Sequence, residues 1–533
     1  MYKILVADKL APEGLALLEQ DKRFECDIKA GISPEDLASI VGQYDGLLIR
    51  SGAKVTAEVL AKPGKLKAIA RAGVGVDNVD LPAATRAGVL VMNTPDANTI
   101  STAELTIGLM LAVARKVLSA SSSLLAGKWE RSKFVGTQLA GKTLGIVGLG
   151  RVGKAVAKRA LAMDMKVLAY DPFFSGDSVL GGQVRLQTSL DELLPQVDFL
   201  TMHTPGGAKT KGMIGPEQLA RMKPSACIIN CARGGIVDEA ALAKALNDGT
   251  IAGAAVDVYT SEPPTDKALL QAKNVIATPH LGASTIEAQL AVSVEAVQLI
   301  MNYLATGEAA NVVNVAGVVT TLDEQTRPLV DLARRAGAML SPLCAEGIKQ
   351  AILTFHTDQA KELAETLSRF FLIDLLQPHL DESLNLINVM HLASERGLAV
   401  NQVKPSGLDP QGAIFSASVC SPLEAHSIAM SQRNDGSPCV LRIDGYRMNM
   451  VPAGQMVLLF NDDKPGVIGA VGTTFGQNRV NIADMSISRQ DDLAMMVIKV
   501  DAPPSPEVLQ QLAQIEPVRK VFSLSLPELS QSD

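Results

Sequence analysis

At 533 residues the chain is too long for one hydrophobic core, and three or four domains are expected. Hydrophobic residues at 47% and charged residues at 20% describe a globular chain and not a disordered one. A net charge of −7 and a pI near 5.6 argue against nucleic acid or an anionic membrane as partner. The N-terminus reads as a strand with no signal-peptide pattern, and the longest apolar run, Leu105 to Ala114, is too short to span a bilayer. Six scattered cysteines show no C-x-x-C spacing; the nearest two, Cys227 and Cys231, share one expected strand face. A reduced, metal-free, cytoplasmic protein is expected.

In chain order, residues 1–97 alternate short strands and helices. Tyr2–Ala7, Gly46–Ile49, Ala68–Arg71 and Val89–Met92 read as strands. Gly14–Gln20, Ser33–Ile40 and Thr56–Leu60 read as helices, with Ser33-Pro34 and Thr56 as start signals. The alternation predicts a doubly wound parallel sheet without a glycine fingerprint of its own. Thr99–Ser123 reads as one long amphipathic helix, capped by Thr99 or Ser101 with Glu104 in its first turn, suited to cross to the next lobe. Gly127–Gln138 is polar and basic and carries the only Trp, Trp129. It is either a plain surface loop or an arm reaching a neighbouring subunit.

Lys142–Lys154 organises the second lobe. Thr143–Val147 is an apolar, β-rich run feeding into Gly148, Gly150 and Gly153, a G-x-G-x-x-G, and then into a helix over Val152–Met163. Gly148 permits the tight turn and Gly150 lets the backbone approach a pyrophosphate. Gly153 lets the helix pack close on the strand, and the helix N-terminus offers free N–H groups. A second strand, Lys166–Tyr170, ends in Asp171, near the offset of about 20 residues at which a carboxylate receives ribose hydroxyls. No Arg follows to take a 2′-phosphate, so NAD is expected over NADP. The plainer reading of Asp171 is a turn residue before Pro172.

Strand candidates continue at Phe199–His203, Cys227–Asn230, Ala252–Val258 and Asn274–Ala277, with functional side chains at the C-terminal ends, where open α/β sheets place ligands. Asn230–Glu239 sets Arg233 in a glycine-rich turn, a donor fork suited to a carboxylate. Val256–Pro264 carries Asp257 and Glu262. Ala277–Ala283 sets His280 between a strand end and a helix expected over Thr285–Ala305. Hydride transfer to a carbonyl needs a proton donor, and the reverse needs a base; only His titrates near neutrality without heavy tuning. Glu262 beside it would fix its tautomer and favour imidazolium, while Arg233 would grip a carboxylate and steady the oxyanion. Singly these residues have plain readings as an N-cap, a solvated acid and a surface charge. Three at strand ends behind a dinucleotide fingerprint point to catalysis. Arg50 and Arg71 end two strands of the first lobe, either as exposed charges or converging across the cleft, and Arg131 and Lys133 of the Trp129 arm are expected to reach the same site from a second subunit.

Beyond Gly307 the character changes. Asn311–Thr320 reads as a strand and 322–450 as mixed α/β without a catalytic constellation; His356, His379, His391 and His426 are isolated surface or structural histidines. A boundary falls near Pro452-Ala-Gly454, and the order strand, helix, strand, strand, helix, strand then predicts a ferredoxin-like unit.

Gly148-Leu-Gly-Arg-Val-Gly153, Asn230-Cys-Ala-Arg-Gly-Gly235 and Pro279-His-Leu-Gly-Ala283 resemble the D-isomer-specific 2-hydroxyacid dehydrogenases over residues 1–310. Arg71–Asn78, Val91–Pro95 and the extended C-terminal half resemble the long-form branch that acts on 3-phosphoglycerate. The resemblance implies a flavodoxin-like substrate lobe over 1–97 and 280–306 and a Rossmann NAD-binding domain over 98–279. An intervening α/β domain over 311–450 and an ACT regulatory domain over 454–533 would follow. It makes Arg233, Glu262 and His280 the catalytic arginine, acid and histidine. It implies NAD contacts from Val74, Arg151, Val152, Asp171, Thr204, Cys231, Ala232, Arg233, Asp257, His280, Leu281, Gly282 and Ala283, mostly through backbone. Asp171 would hold the ribose and Asp257 the nicotinamide amide, while Arg50, Arg71 and Asn98 would hold substrate.

Asn461-Asp-Asp-Lys-Pro-Gly466, followed by Asn481-Ile482, is similar to the ACT module. In its family that module pairs across subunits and binds an amino acid, so Asn461, Asp463 and Asn481 are expected to receive L-serine in a homodimer or homotetramer. The implied reaction is NAD-dependent oxidation of 3-phospho-D-glycerate to 3-phosphohydroxypyruvate, the first step of L-serine biosynthesis. The alternatives are another D-2-hydroxyacid dehydrogenase, a glyoxylate/hydroxypyruvate or 2-oxoglutarate reductase, or a non-enzymatic NAD sensor on the same fold.

Overall fold

Strands that are apolar on both faces need cover on both. The computed structural model, which describes residues 1–174, 179–319, 321–344, 347–421 and 424–529, meets that need twice in its N-terminal half. β1 (Tyr2–Val6), β2 (Phe24–Ile28), β3 (Gly46–Ile49), β4 (Ala68–Arg71) and β5 (Leu90–Asn93) form a parallel sheet ordered β2-β1-β3-β4-β5. One face is covered by the helix Ile286–Thr306, which buries Val292, Ala296, Val297, Ile300 and Leu304 against Ile4, Val6, Leu48 and Ala70. At about 1.5–3 kcal/mol per fully buried aliphatic side chain, this late helix is integral to the early sheet. The other face buries Leu37, Val59, Leu60 and Ala84 from the helices Pro34–Ile40, Ala57–Leu60 and Leu81–Arg86. The edge strand β2 and the helix Leu81–Arg86 escape a pattern reading: Phe24–Ile28 interleaves charges because it pairs on one side only.

The second parallel sheet contains β6 (Thr143–Val147), β7 (Lys166–Tyr170), β8 (Val184–Leu186), β9 (Phe199–Met202), β10 (Cys227–Asn230), β11 (Gly253–Val256) and β12 (Val275–Ala277). Its order is β12-β11-β10-β9-β6-β7-β8, so the chain reverses direction of growth between β6 and β9. A crevice opens at such a switch point, and the Gly148 turn leaves β6 there. Cys231 falls just past the end of β10, so it does not share a strand face with Cys227; all six cysteines are free.

Two expected elements are revised. The helix begun at Thr99 ends at Ala114, Lys116 takes a left-handed φ of 52°, and a second helix, Val117–Leu125, departs at 62°. The cause is tertiary: the Ala114 carbonyl accepts the Thr137 N–H at 3.0 Å as the arm returns past it. Neither Thr99 nor Ser101 caps the first helix; Asn98 holds the N-cap position without a side-chain cap bond. Thr56 likewise occupies an N-cap position without one. Residues 311–319 form no strand. A single bridge joins Val312 to Met92, and the Asn314 amide fastens the segment to β5 and its approach through the Val91 N–H and the Val89 carbonyl. Thr320 lies outside the described residues.

In the C-terminal half, β13 (Gln350–Phe355), β14 (Ala399–Val403), β15 (Phe415–Cys420), β16 (Ala425–Gln432), β17 (Pro438–Ile443) and β18 (Tyr446–Met450) form a mixed sheet. It is backed by the helices Thr326–Leu340 and Ala364–Leu376. The last sheet, β19 (Gly454–Asp462), β20 (Ile482–Gln490), β21 (Leu493–Val500) and β22 (Val518–Leu526), is antiparallel in the order β20-β21-β19-β22, with two intervening helices. Its two central strands, β19 and β21, are buried on both faces. Met456, Leu458, Met495 and Val497 join the core of the preceding domain, while Val457, Leu459, Met496 and Ile498 pack on the sheet's own helices, a period of two. Arg335, 4% exposed, seals the joint by donating to the carbonyls of Pro452 and Pro527. Among the described residues no single helix is long and apolar enough to cross a membrane.

Candidate active site

Gly148 adopts a φ of 97°, and a Cβ there would lie 2.6 Å from the His203 carbonyl oxygen. A Cβ on Gly153 would lie 2.1 Å from the Gly148 oxygen, whereas one on Gly150 meets nothing within 4 Å. The helix Arg151–Ala162 leaves the N–H groups of its first turn without intrahelical partners beside that open face. Thr204, against the turn, keeps a buried hydroxyl with no partner. An open glycine, spare N–H groups and an orphaned hydroxyl fit a pyrophosphate. Asp171 accepts the Leu149 N–H at 2.8 Å and the Phe173 N–H at 2.9 Å. It therefore braces the turn, and each oxygen retains a lone pair for a ribose hydroxyl.

His280 sits in the turn after β12 with a φ of 55°, and its Nδ1 lies 2.6 Å from Glu262 Oε2. Burial pushes the Glu262 carboxyl up, but the His280 bond, the Tyr259 N–H and the charges of His280 and Arg233 outweigh it and hold the group below the usual range. A carboxylate that accepts from Nδ1–H keeps the proton on that nitrogen and leaves Nε2 for exchange. His203, by contrast, is pushed down to about 4 by burial and stays neutral against Thr201.

The left-handed turn is gripped from two sides. Asp257, fully buried, accepts from Leu281 N–H at 2.7 Å, Gly282 N–H at 2.9 Å and the Thr278 hydroxyl at 2.6 Å. Ser101 and Thr102, at the start of the helix Thr99–Ala114, donate to the Gly282 carbonyl at 2.8 and 3.1 Å. The Asp257 carboxylate, expected on a nicotinamide amide, thus also holds the His280 turn, and its Oδ2, with one donor, retains a lone pair.

Arg233 follows β10 in a turn so tight that a Cβ on Gly234 would lie 1.9 Å from the Tyr259 oxygen. Its Nε lies 3.2 Å from Asp77 of the other lobe. Arg71 donates from Nε to Asn78 at 3.0 Å, and Asn78 in turn donates to the carbonyls of Arg50 and Ala53. Burial, then the positive charges of Arg233 and Arg50, push the Arg71 guanidinium down to about 10, with Asp77 and Asp8 opposing. Arg71 thus lies close enough to feel the charges of both Arg233 and Arg50, an arrangement that suits an anion.

Around this cluster, Asn98 has a buried amide oxygen without a partner, and the Val74 carbonyl is taken by Asn93. Ala232 and Cys231 are buried beside Arg233, and burial pushes the Cys231 thiol up to about 12. Arg151 pairs with Asp96 across the lobes. Lys133 pairs with Glu130 on its own arm, and Arg131 lines a groove with Arg115 and Phe134. Among the described residues no hydrogen bond joins either to the arginine cluster of the same chain.

At the far end of the chain, Asn461 is buried with its amide oxygen unpartnered, and Asp463 faces Arg489 at 3.4 Å. Asn481 instead bonds Asp501, at the opposite end of β21. The register puts Asn481 about 20 Å from Asn461 and about 30 Å from Asp463 along β21, so one chain does not bring the three together. Asp77, Asp96 and Asn78 carry no assignment from the sequence, although the Gly-Val-Asp-Asn run beside Arg71 is visible in it.

Residues 107–282 match the D-isomer specific 2-hydroxyacid dehydrogenase family, NAD binding domain, and residues 456–517 match the ACT domain. A D-3-phosphoglycerate dehydrogenase of Archaeoglobus fulgidus is 40% identical over 520 residues, 96% of this chain and 98% of that one. One of Methanocaldococcus jannaschii is 39% identical over 99% of this chain and 100% of its own. Among solved structures, the TT0316 protein of Thermus thermophilus superposes with a TM-score of 0.54 at 35% identity, over 58% of this chain and 99% of that one.

Proposed function

Because this chain belongs to the D-3-phosphoglycerate dehydrogenase family, within the D-isomer-specific 2-hydroxyacid dehydrogenases, we propose that it oxidises 3-phospho-D-glycerate with NAD to 3-phosphohydroxypyruvate, opening L-serine synthesis. The observation that carries the assignment of roles is the 2.6 Å bond from His280 to Glu262, whose carboxylate also feels the charge of Arg233. Bound at the glycine turn, NAD supplies the hydride acceptor. Glu262 fixes the imidazole so that Nε2 takes the hydroxyl proton as the carbinol carbon gives up its hydride. Arg233 holds the substrate carboxylate, and Arg50 and Arg71 hold the phosphate. In the reverse direction Nε2–H returns the proton to the carbonyl oxygen.

Following NADH absorbance tests this. His280→Ala should lower kcat by about 10²–10⁴-fold. Neutralising Arg50 and Arg71 together should raise KM for the phosphorylated acid and leave plain 2-hydroxy acids unaffected. Untouched turnover in His280→Ala, or equal use of plain and phosphorylated acids, overturns the reading.

A second copy of the chain completes both ends of this picture. Trp129 is 82% exposed, with Leu124, Leu125 and Val135 exposed near it, which supports an arm that covers another subunit and delivers Arg131 and Lys133. At the ACT sheet, the opposed positions of Asn461 and Asn481 support an amino-acid site, for L-serine, shared between two copies. Gel filtration together with serine titration of an Asn481→Ala variant tests both points.

A further inference from the structure

The reaction above gives Asp77 no task, yet it holds the guanidinium assigned to the substrate. We infer that Asp77 stands in for the substrate carboxylate on Arg233, so that substrate binding is an exchange of one carboxylate for another on the same arginine. This rests on the role given to Arg233 above.

The two residues come from opposite lobes: Asp77 from the loop after β4, Arg233 from the turn after β10. A Cβ on Gly75 would lie 2.2 Å from an Arg233 terminal nitrogen and 2.8 Å from Asp77 Oδ2, so the pair occupies the space a side chain at position 75 would need. One glycine earlier, a Cβ on Gly73 would lie 2.3 Å from Arg71 Nη1. Gly73 and Gly75 thus make room for Arg71 and Arg233 respectively, with Asp77 two residues further on.

The pair is unequal in ways that suit exchange. The Asp77 side chain is 71% exposed and the Arg233 side chain 27%. The arginine is tied down by its own bond to the Ala232 carbonyl at 2.7 Å, while the acid touches it only through Nε at 3.2 Å. An acid that served to orient the arginine would be buried and would grip the fork with both oxygens. A one-point, solvated carboxylate is instead readily displaced by a ligand able to take two N–H groups at once, and water receives it when it leaves. Until then its charge moderates the repulsion between Arg71 and Arg233.

Asp77→Asn removes the competitor and keeps the shape. Its KM for 3-phosphoglycerate should fall about two- to fivefold, the range of an exposed ion pair, with KM for NAD unchanged. Asp77→Glu should restore the wild-type value. In an Arg233→Ala background, where affinity for the acid is already low, Asp77→Asn should change nothing. A KM that stays level or rises in Asp77→Asn overturns the exchange, as does an equal fall when Arg233 is absent. If Arg233→Ala alone keeps full affinity for 3-phosphoglycerate, it is the role of Arg233 that fails.

Discussion

Gly150 and Gly153 stand three residues apart at one helix start and answer to opposite constraints. A Cβ on Gly153 strikes the Gly148 carbonyl at 2.1 Å, whereas one on Gly150 meets open space. Gly153→Ala should therefore destabilise the unliganded protein by about 1–3 kcal/mol or more, because backbone must move. Gly150→Ala should melt within about 0.5 kcal/mol of wild type and lose about ten- to hundredfold in NAD affinity. Thermal melts paired with NAD titration separate the two; equal melting of both variants would contradict the packing.

Asp257 should behave as part of the scaffold under His280. Asn at this position keeps a single acceptor oxygen, so the Leu281 or Gly282 N–H is left unpaired in a buried place. The cost is about 1–3 kcal/mol in the ligand-free protein, and kcat falls as the turn loosens. Were the carboxylate engaged only with cofactor, the melting temperature without NAD would not move.

The sequence made the site's skeleton legible because that part is local. Gly148 to Gly153 follow a strand, and Arg233, Glu262 and His280 each lie in the loop that follows one, so their place in the chain locates them. What escaped it depends on distant partners. The break after Ala114 is made by Thr137 returning past it, and Asp77 meets Arg233 across 156 positions of sequence. The separation of Asn461 from Asn481 is a matter of register along β21, which no periodicity reveals.

Arg71 carries the alkaline limit of substrate binding. Burial and the neighbouring arginines bring its guanidinium down to about 10 in the free protein. A base with a lowered value loses its proton earlier, so the phosphate site sheds a charge as pH passes that point. The expected result is a fall in kcat/KM for 3-phosphoglycerate above about pH 10, with KM for NAD less affected. Arg71→Lys, which cannot keep the bond from Nε to Asn78, should bind the acid more weakly even at neutral pH.

His426 should make the C-terminal half respond to pH near neutrality. Its Nδ1 lies 2.7 Å from Asp444 and its Nε2 3.2 Å from Glu424, which also pairs with Lys520 of β22. The Asp444 bond raises the imidazole above its ordinary 6.5, against the opposing pull of burial. A base raised by folding stabilises the fold fully below its ordinary value, and that contribution is lost as pH climbs through the folded one. The melting temperature of the C-terminal half should decline from about pH 6.5 upward, and His426→Asn should flatten that slope. Since Glu424 bridges His426 of one sheet to Lys520 of the other, part of the loss should appear as weaker docking of the two sheets. Hydrogen exchange at the N–H groups of β22 should then quicken over the same pH interval in the wild type and not in the variant. A slope that survives in His426→Asn would assign the response to another group.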